Sequence, residues 1–548
     1  MITRRFFRLL VFISITLITL ALLATFYKGY HGSIESILSI VNTKKTSEDL
    51  SAIISAQRFR YIQYLLMAII IVLVLLLWKC KEAYAILASY ISSLIQFTRS
   101  LFVTAMGSEI KYLLIIPVAG SFYYAIVMPV CYDEGLTYLY FSSKGIFSSI
   151  SFYPEPNNHI LNSILTNLTI HLPFGDTEFR LRLPSLLVSI ITLLLSYRLL
   201  NTYYNKQAAL IVTAIGSMVF LVFYYSYQSR GYALVNLFFM GAFYNALGII
   251  RKNDCLQNWV WFGVSCLLGF YTMPSFLYPF LTLNIIILVF NWSNLKRQII
   301  TNTVVVMATV VLYLPIIVVN GLDALTNNPY VRSIQRAEVI ERLPGFLQFS
   351  LNELTQFPWW LGILFLLPSF FFSVLRRQKF SIGLFLIFLL APVVFLILHS
   401  VIPFPRTFGY YGFVLPLLAI TGFAEQLKKI PVVPLTIVLI AIQLGLLYQF
   451  NKEIIPYEER DPQLNWSSKK FTNMMVGDKR YFSSGNLLGT TLLYELKAQG
   501  FKKAEVIFYD GPVSADSLQS FDYIIIGHQF DHTKAKKAKI TTPYYNIY

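Results

Sequence analysis

The chain has 548 residues, of which 56% are hydrophobic and 16% aromatic, with only 13% charged and a mean hydropathy of +0.60. Soluble globular chains carry about 25% charged residues, so a soluble enzyme, a disordered chain and a fibrous protein are all excluded. The net charge is +17, and where that charge sits is decided by the apolar runs.

Runs long enough to cross a bilayer, about 20 residues each, recur along the chain. Their pattern predicts a polytopic α-helical membrane protein of about 13 transmembrane helices: 6–27, 61–78, 112–130, 183–201, 207–226, 232–250, 257–272, 275–291, 300–319, 358–375, 380–400, 409–425 and 432–450. The first span resembles a signal peptide, with an h-region too long and a poor cleavage site. Its retention or removal leaves the remaining topology unchanged. Residues 80–110 have helical periodicity and read as a segment lying on the cytoplasmic membrane surface. Alternation places 28–60, 131–182, 227–231, 320–357, 401–408 and 451–548 on the outer face. Of the 44 Lys and Arg, 17 then fall in inner loops beside only four acids, whereas the outer loops hold 13 bases and 12 acids. The excess is the positive-inside signal, and a nucleic-acid partner is not expected. Cys80, Cys131, Cys255 and Cys266 are scattered in or beside spans and form no disulfide framework.

Three units are expected. Residues 1–110 form an N-terminal hairpin with its interfacial segment, 111–450 a transmembrane core, and 451–548 a small α/β soluble domain outside. In that tail, Arg480-Tyr-Phe-Ser, 504–509 and 523–526 read as strands and 487–499 as a helix. The turn Ser484-Gly485 lacks the Lys of a phosphate-binding loop.

The outer loop 131–182 is long enough to carry function. It opens with Tyr132-Asp133-Glu134 and continues through Phe152-Tyr-Pro-Glu155-Pro-Asn-Asn158-His159. It closes on Phe179-Arg180-Leu-Arg182-Leu-Pro184-Ser. Residues 160–172 have the spacing of an amphipathic helix. Adjacent acids at a lipid–water boundary repel each other and lose hydration. They either serve a purpose, such as general-base catalysis on a hydroxyl, or mark a helix that simply ends in water. Glu155 and His159, four residues apart, are a candidate pair for a divalent metal ion, although two ligands do not make a site. Arg230, in Gln228-Ser-Arg-Gly-Tyr232, and Arg406, in Pro403-Phe-Pro-Arg-Thr, interrupt apolar runs on the same outer face. They either hold phosphate or snorkel toward headgroups. Arg182 is a further phosphate candidate, and Arg180 and Arg182 could instead pair with Asp176 or Glu178.

Taken in order, Asp133-Glu134, the acid and His at 155–159, Phe179-Arg-Leu-Arg-Leu-Pro-Ser185 and Gln228-Ser-Arg-Gly-Tyr232 resemble the GT-C glycosyltransferases. The likeness is greatest to the branch of protein O-mannosyltransferases and aminoarabinose transferases, and it covers roughly 111–430. The resemblance implies an enzyme that moves a sugar from a polyprenyl-phosphate-linked donor to an acceptor hydroxyl on a lipid, glycan or protein at the outer face. The setting it implies is the bacterial inner membrane, with the active site and tail on the periplasmic or extracellular side. Asp133 matches the catalytic base and Glu134 a second acid that orients the acceptor or assists the base. Pro-Glu-Pro-Asn-Asn-His departs from the His-Pro-Pro-Leu-type stretch of many relatives. The competing readings are a transporter or flippase of a lipid-linked sugar and a polysaccharide polymerase or ligase. Few ionisable groups lie within the spans, which disfavours the former.

Overall fold

The computed structural model describes residues 4–41, 47–154, 156–251, 255–326, 333–458, 477–484, 486–509, 521–527, 540–541 and 545–547. Each of the expected spans is helical, but the count of thirteen is not reproduced. Among the described residues, nine helices are long and apolar enough to cross a membrane, or up to eleven if two bent pairs each count as one span. The bends are the reason. Lys206–Met218 meets Phe220–Tyr227 at 67°, and Arg336–Thr355 meets Trp359–Leu375 at 89°, the latter across Gln356 with φ +56°. Three expected spans are also short: Leu256–Thr272, Leu277–Phe290 and Tyr411–Thr421 have 17, 14 and 11 residues. A hydropathy run records apolarity but not whether the helix within it turns.

The ninth long helix is Cys80–Met106, which the sequence places flat on the inner surface. Its contacts fall at one end of the bundle. Tyr84 lies 6.1 Å from Phe7 and Tyr90 lies 6.0 Å from Trp261, ring centre to ring centre. Further along, Ser93 bonds Gln257, Phe97 is 5.4 Å from Tyr244, and Thr104 accepts from Arg198 at 3.5 Å. These partners belong to the start of the first helix, the start of Leu256–Thr272 and the final turns of Tyr232–Ile250 and Thr177–Tyr203. All are segments of one end of the bundle, whereas a crossing helix would exchange one end for the other along its length.

The opposite end gathers the segments expected outside. Polar caps knit the inner end: Asn205 donates to the carbonyl of Ala424, and Gln207 to those of Lys428 and Ile430. Within the core, Gln443 donates to the carbonyls of Leu113 and Ala214, so a buried amide in an apolar helix has partners, as it must.

In the tail, strands β1 (Arg480–Ser484), β2 (Glu505–Tyr509), β3 (Tyr523–Gly527), β4 (Ile540–Thr541) and β5 (Tyr545–Ile547) form one sheet in the order β2-β1-β3-β5-β4. β1 pairs parallel with β2 and β3, and β5 pairs antiparallel with β3 and β4. The helix Asn486–Ala498 makes the crossover that the parallel neighbours β1 and β2 require. Leu488, Leu492 and Leu496, at four-residue spacing, bury one face against Tyr481 and Ile525.

Single cysteines placed at Lys81 and at Gly107 in a cysteine-free background should react with a membrane-impermeant thiol reagent from the same face. Reaction from opposite faces would show that Cys80–Met106 crosses the bilayer.

Candidate active site

The site begins at a helix of five residues, Tyr132–Leu136. Consecutive helical residues point about 100° apart, so Asp133 and Glu134 face different surroundings. Glu134 is fully buried and ion-paired at 2.7 Å with an equally buried Arg182. Its carboxylate accepts from Arg182 Nε and Nη2, from the Ser229 N–H at 2.6 Å, and from the Cys131 N–H at 3.2 Å. The last of these caps its own helix. Arg182 gives its other N–H groups to the carbonyls of Ala125, Met128 and Pro129, so all five donors of the guanidinium are engaged. The roles expected of these two residues therefore need correction. Arg182 has no donor left for a phosphate, and Glu134 has no lone pair left for an acceptor. Together they tie the Asp133 helix to Thr177–Tyr203 and to the turn before Arg230.

Asp133 turns the other way, into a cavity of about 290 Å³ lined by Tyr132, Tyr153, Asn157, His159, Arg230 and Arg406 among others. Its Oδ2 lies 3.6 Å from Arg230 Nη2 and 3.5 Å from Arg406 Nη2, and its side chain is 25% exposed. The two cations come from different segments, the turn before Tyr232–Ile250 and the 3₁₀ turn Pro405–Phe408. Arg230 is nearly buried and held in place. Its Nη1 reaches the Asp133 carbonyl and Thr137 Oγ1, each at 3.3 Å, and both the carbonyl (3.2 Å) and the side-chain oxygen of Asn157. Arg406 is 28% exposed and lies over the Phe404 ring at 4.6 Å.

His159 stands beside this pair. Its Nδ1 accepts the Gly231 N–H at 2.8 Å, which leaves the proton of the neutral ring on Nε2, 3.5 Å from Arg230 Nη2. Gly231 is obligatory for this approach, since a Cβ there would lie 2.8 Å from both His159 Cβ and Thr272 Cγ2. Burial and the two neighbouring arginines hold the imidazole far below its usual range, so it is neutral at physiological pH. Burial alone would raise the Asp133 carboxyl, but Arg230 and Arg406 outweigh it and hold the group below its ordinary value. The site at rest is one carboxylate between two guanidinium groups, with a neutral N–H donor alongside.

Glu155 lies outside the described residues. Among those described, no three His, Cys, Asp or Glu side chains converge as metal ligands. His159 has one ring nitrogen occupied and the other facing a cation. Arg180 donates to the carbonyls of Leu172 and Asp176 and to Thr177, anchoring the helix start beside Asp176. Sequence reasoning did not single out Asn157, Thr137 or Gly231. Gly231 stood next to Arg230 and Asn157 two residues from His159, but nothing in the sequence showed that Asn157 meets Arg230, or Gly231 His159, across 73 and 72 positions.

A second, larger space adjoins the polar one. A groove of about 680 Å³ is lined almost wholly by apolar side chains from the 336–355, 359–375, 379–399 and 411–421 helices, including Phe346, Leu351, Ile363, Phe370, Leu389 and Leu396. The turn Pro405–Phe408 divides the two. Pro405 and Phe408 line the groove, while Phe404, Arg406 and Thr407 line the polar cavity. A charged head and a long hydrocarbon tail on one ligand would find adjoining sites.

This arrangement has relatives. Residues 161–320, which include Arg230 but not Asp133 or Arg406, match the family described as dolichyl-phosphate-mannose-protein mannosyltransferase. The fold matches that of ArnT from Cupriavidus metallidurans. Against its crystal structure bound to undecaprenyl phosphate the TM-score is 0.50 at 11% identity, covering 80% of this chain and 97% of that one. Against the apo crystal structure it is 0.52 at 12% identity, covering 81% and 98%. At such identities the structural likeness is one of fold. No curated protein matches the chain in sequence. The family match thus covers the stretch 161–320, and the likeness to the solved structures, over most of the chain, is one of fold.

Removing one partner of a buried ion pair leaves the other charge unpaired, at a cost of about 3–5 kcal/mol. Glu134→Gln should therefore lower the melting temperature in detergent markedly, whereas Asp133→Asn, at a partly exposed position, should leave it near wild type. Equal melting temperatures for Glu134→Gln and wild type would show that the pair does not support the fold.

Proposed function

We propose that the protein transfers a sugar from a polyprenyl-phosphate-linked donor to an acceptor hydroxyl on the outer face of the membrane, with Asp133 as general base. One observation carries this reading: Asp133 is bracketed by Arg230 and Arg406 at the point where a polar cavity meets a large apolar groove. The groove suits a polyprenyl chain. The two arginines suit a phosphate, which planar forks bind through paired hydrogen bonds. The ArnT crystal structure of the same fold is bound to undecaprenyl phosphate.

The chemistry follows from charge. When the donor phosphate arrives, Arg230 and Arg406 turn part of their hydrogen bonding from Asp133 to the phosphate oxygens. Asp133 then loses the neighbours that keep its pKa low, and its affinity for a proton rises when a base is needed. The acceptor hydroxyl gives its proton to Asp133 as its oxygen attacks the anomeric carbon. The bond from that carbon to the phosphate oxygen breaks, and its electron pair leaves with the lipid phosphate. The arginines stabilise the charge developing there. His159, neutral with its proton on Nε2, adds a donor without adding charge.

The direct test uses purified protein in lipid, radiolabelled polyprenyl-phosphate sugars and a total cell-envelope extract. Wild type should release label from the lipid and Asp133→Asn should not. Full activity in a folded Asp133→Asn variant would sink the assignment of the base. Arg230→Gln should weaken binding of undecaprenyl phosphate by about tenfold or more, the worth of a charge-assisted pair.

The pH dependence has a definite sign. In the free enzyme Asp133 is ionised above a pKa held below its ordinary value of about 3.9, and it loses its base function only as pH falls through that lowered value. His159 is held well below its ordinary value by burial and the two arginines. The kcat/KM profile, which reports the free enzyme, should therefore show its acid limb below about pH 4 and no inflection near about pH 6.5. A wild-type limb between pH 6 and 7 would contradict the pairing of Asp133 with both arginines.

A further inference from the structure

The tail domain packs on the active-site helix, with Tyr494 as its fully buried side chain there. The helix Asn486–Ala498 lies against Tyr132–Leu136, where a Cβ added at Gly135 would meet Tyr494 Cβ at 3.5 Å and Thr490 Cγ2 at 3.9 Å, ordinary van der Waals distances. Tyr494 is fully buried and joins Val130, Leu139 and Leu181 in one apolar cluster. Its ring meets Tyr138 edge to face at 5.2 Å. Val130 precedes the Asp133 helix, Leu139 follows it, and Leu181 is the neighbour of Arg182. One tail residue thus packs on the segments before, after and beside the five-residue helix that carries Asp133. Its hydroxyl has no hydrogen-bond partner among the described residues, so its contribution is shape.

A helix of five residues does not hold its own conformation. Glu134 ties it down on one side through Arg182, and the cavity occupies another. From the tail side Tyr494 closes the packing, with its backbone side against Gly135 and its ring against Tyr138. We propose that Tyr494 is a positioning residue, through which the C-terminal domain holds Asp133 at its place between Arg230 and Arg406. The inference rests on the sugar-transfer reading above. The tail is then part of the catalytic apparatus and not a detachable cap.

Among the described residues, the charged and titratable groups lining the cavity with Asp133 are Arg230, Arg406, the neutral His159 and the phenols of Tyr132, Tyr153 and Tyr232, while Glu134 is turned away. If the helix shifts, Asp133 recedes from both arginines and the burial that raises its pKa prevails. The acid limb of the pH–rate profile should then move upward, a change that lost folding stability alone would not cause.

The test compares full-length wild type, Tyr494→Ala, Tyr494→Phe and the exposed tail variant Lys479→Ala in nanodiscs. Label release is followed from radiolabelled polyprenyl-phosphate mannose and from the other polyprenyl-phosphate sugars of the panel. Tyr494→Ala should lower kcat by about 10- to 100-fold, as small misplacements of reacting groups do, with KM changed by less than about threefold and the acid limb moved to higher pH. Tyr494→Phe and Lys479→Ala should match wild type. A folded Tyr494→Ala with wild-type kcat and an unmoved limb would overturn the proposal. So would a loss of activity that follows only the folded fraction. Should Tyr494→Ala not fold, Tyr494→Leu, which keeps bulk without the ring, is read by the same criteria. No label release by wild type from any donor would overturn the transfer reading and this inference with it; release by wild type makes the variants decisive for Tyr494 alone.

Discussion

The site depends on the buried ion pair between Glu134 and Arg182. Two charges without water are expensive to keep inside a protein, and the cost is offset only when geometry and hydrogen bonding are nearly complete. Here they are: the carboxylate accepts four hydrogen bonds and the guanidinium donates five. The pair joins three segments, the short Asp133 helix, the start of Thr177–Tyr203 and the turn leading to Arg230. With Glu134 neutralised inside, Asp133 beside it can carry its own charge into the cavity without a second free carboxylate next to it.

From that anchor the remaining geometry follows. The Ser229 N–H bonded to Glu134 sets the turn that presents Arg230. Arg230 is then held by Asn157 and Thr137, and His159 by the N–H of Gly231. Arg406 arrives from a distant part of the chain on a turn that also forms the edge of the apolar groove. The place where charge is concentrated is thus the place where hydrocarbon is accommodated. Low-dielectric surroundings strengthen each ionic contact, and fixed donors stabilise developing charge without having to reorganise.

Charged residues at the outer ends of apolar runs are conspicuous, because a bilayer tolerates so few of them. Asp133, Arg230, His159 and Arg406 were legible for that reason, and the structure brings all four into one cavity. Glu134 and Arg182 were equally visible but were given roles at the cavity. No local pattern says which of two adjacent acids faces inward, since a rotation of 100° decides it. Three of the five described tail strands, β1, β2 and β3, were legible from their apolar runs. The contact of Tyr494 with Gly135 joins positions 359 residues apart, with no motif at either end to announce it.

The sequence by itself determined that this is a multi-spanning helical membrane protein, which loops share a face, and which charged residues stand at the membrane boundary. Those features are encoded locally, in the length of apolar runs and the side on which Lys and Arg accumulate. Only the tertiary structure decided that Glu134 is an internal counter-charge, that Asp133 lies between two arginines, where spans bend, and that the tail bears on the Asp133 helix. Each of these depends on contacts between segments distant in the chain, and local composition carries no information about which segments meet.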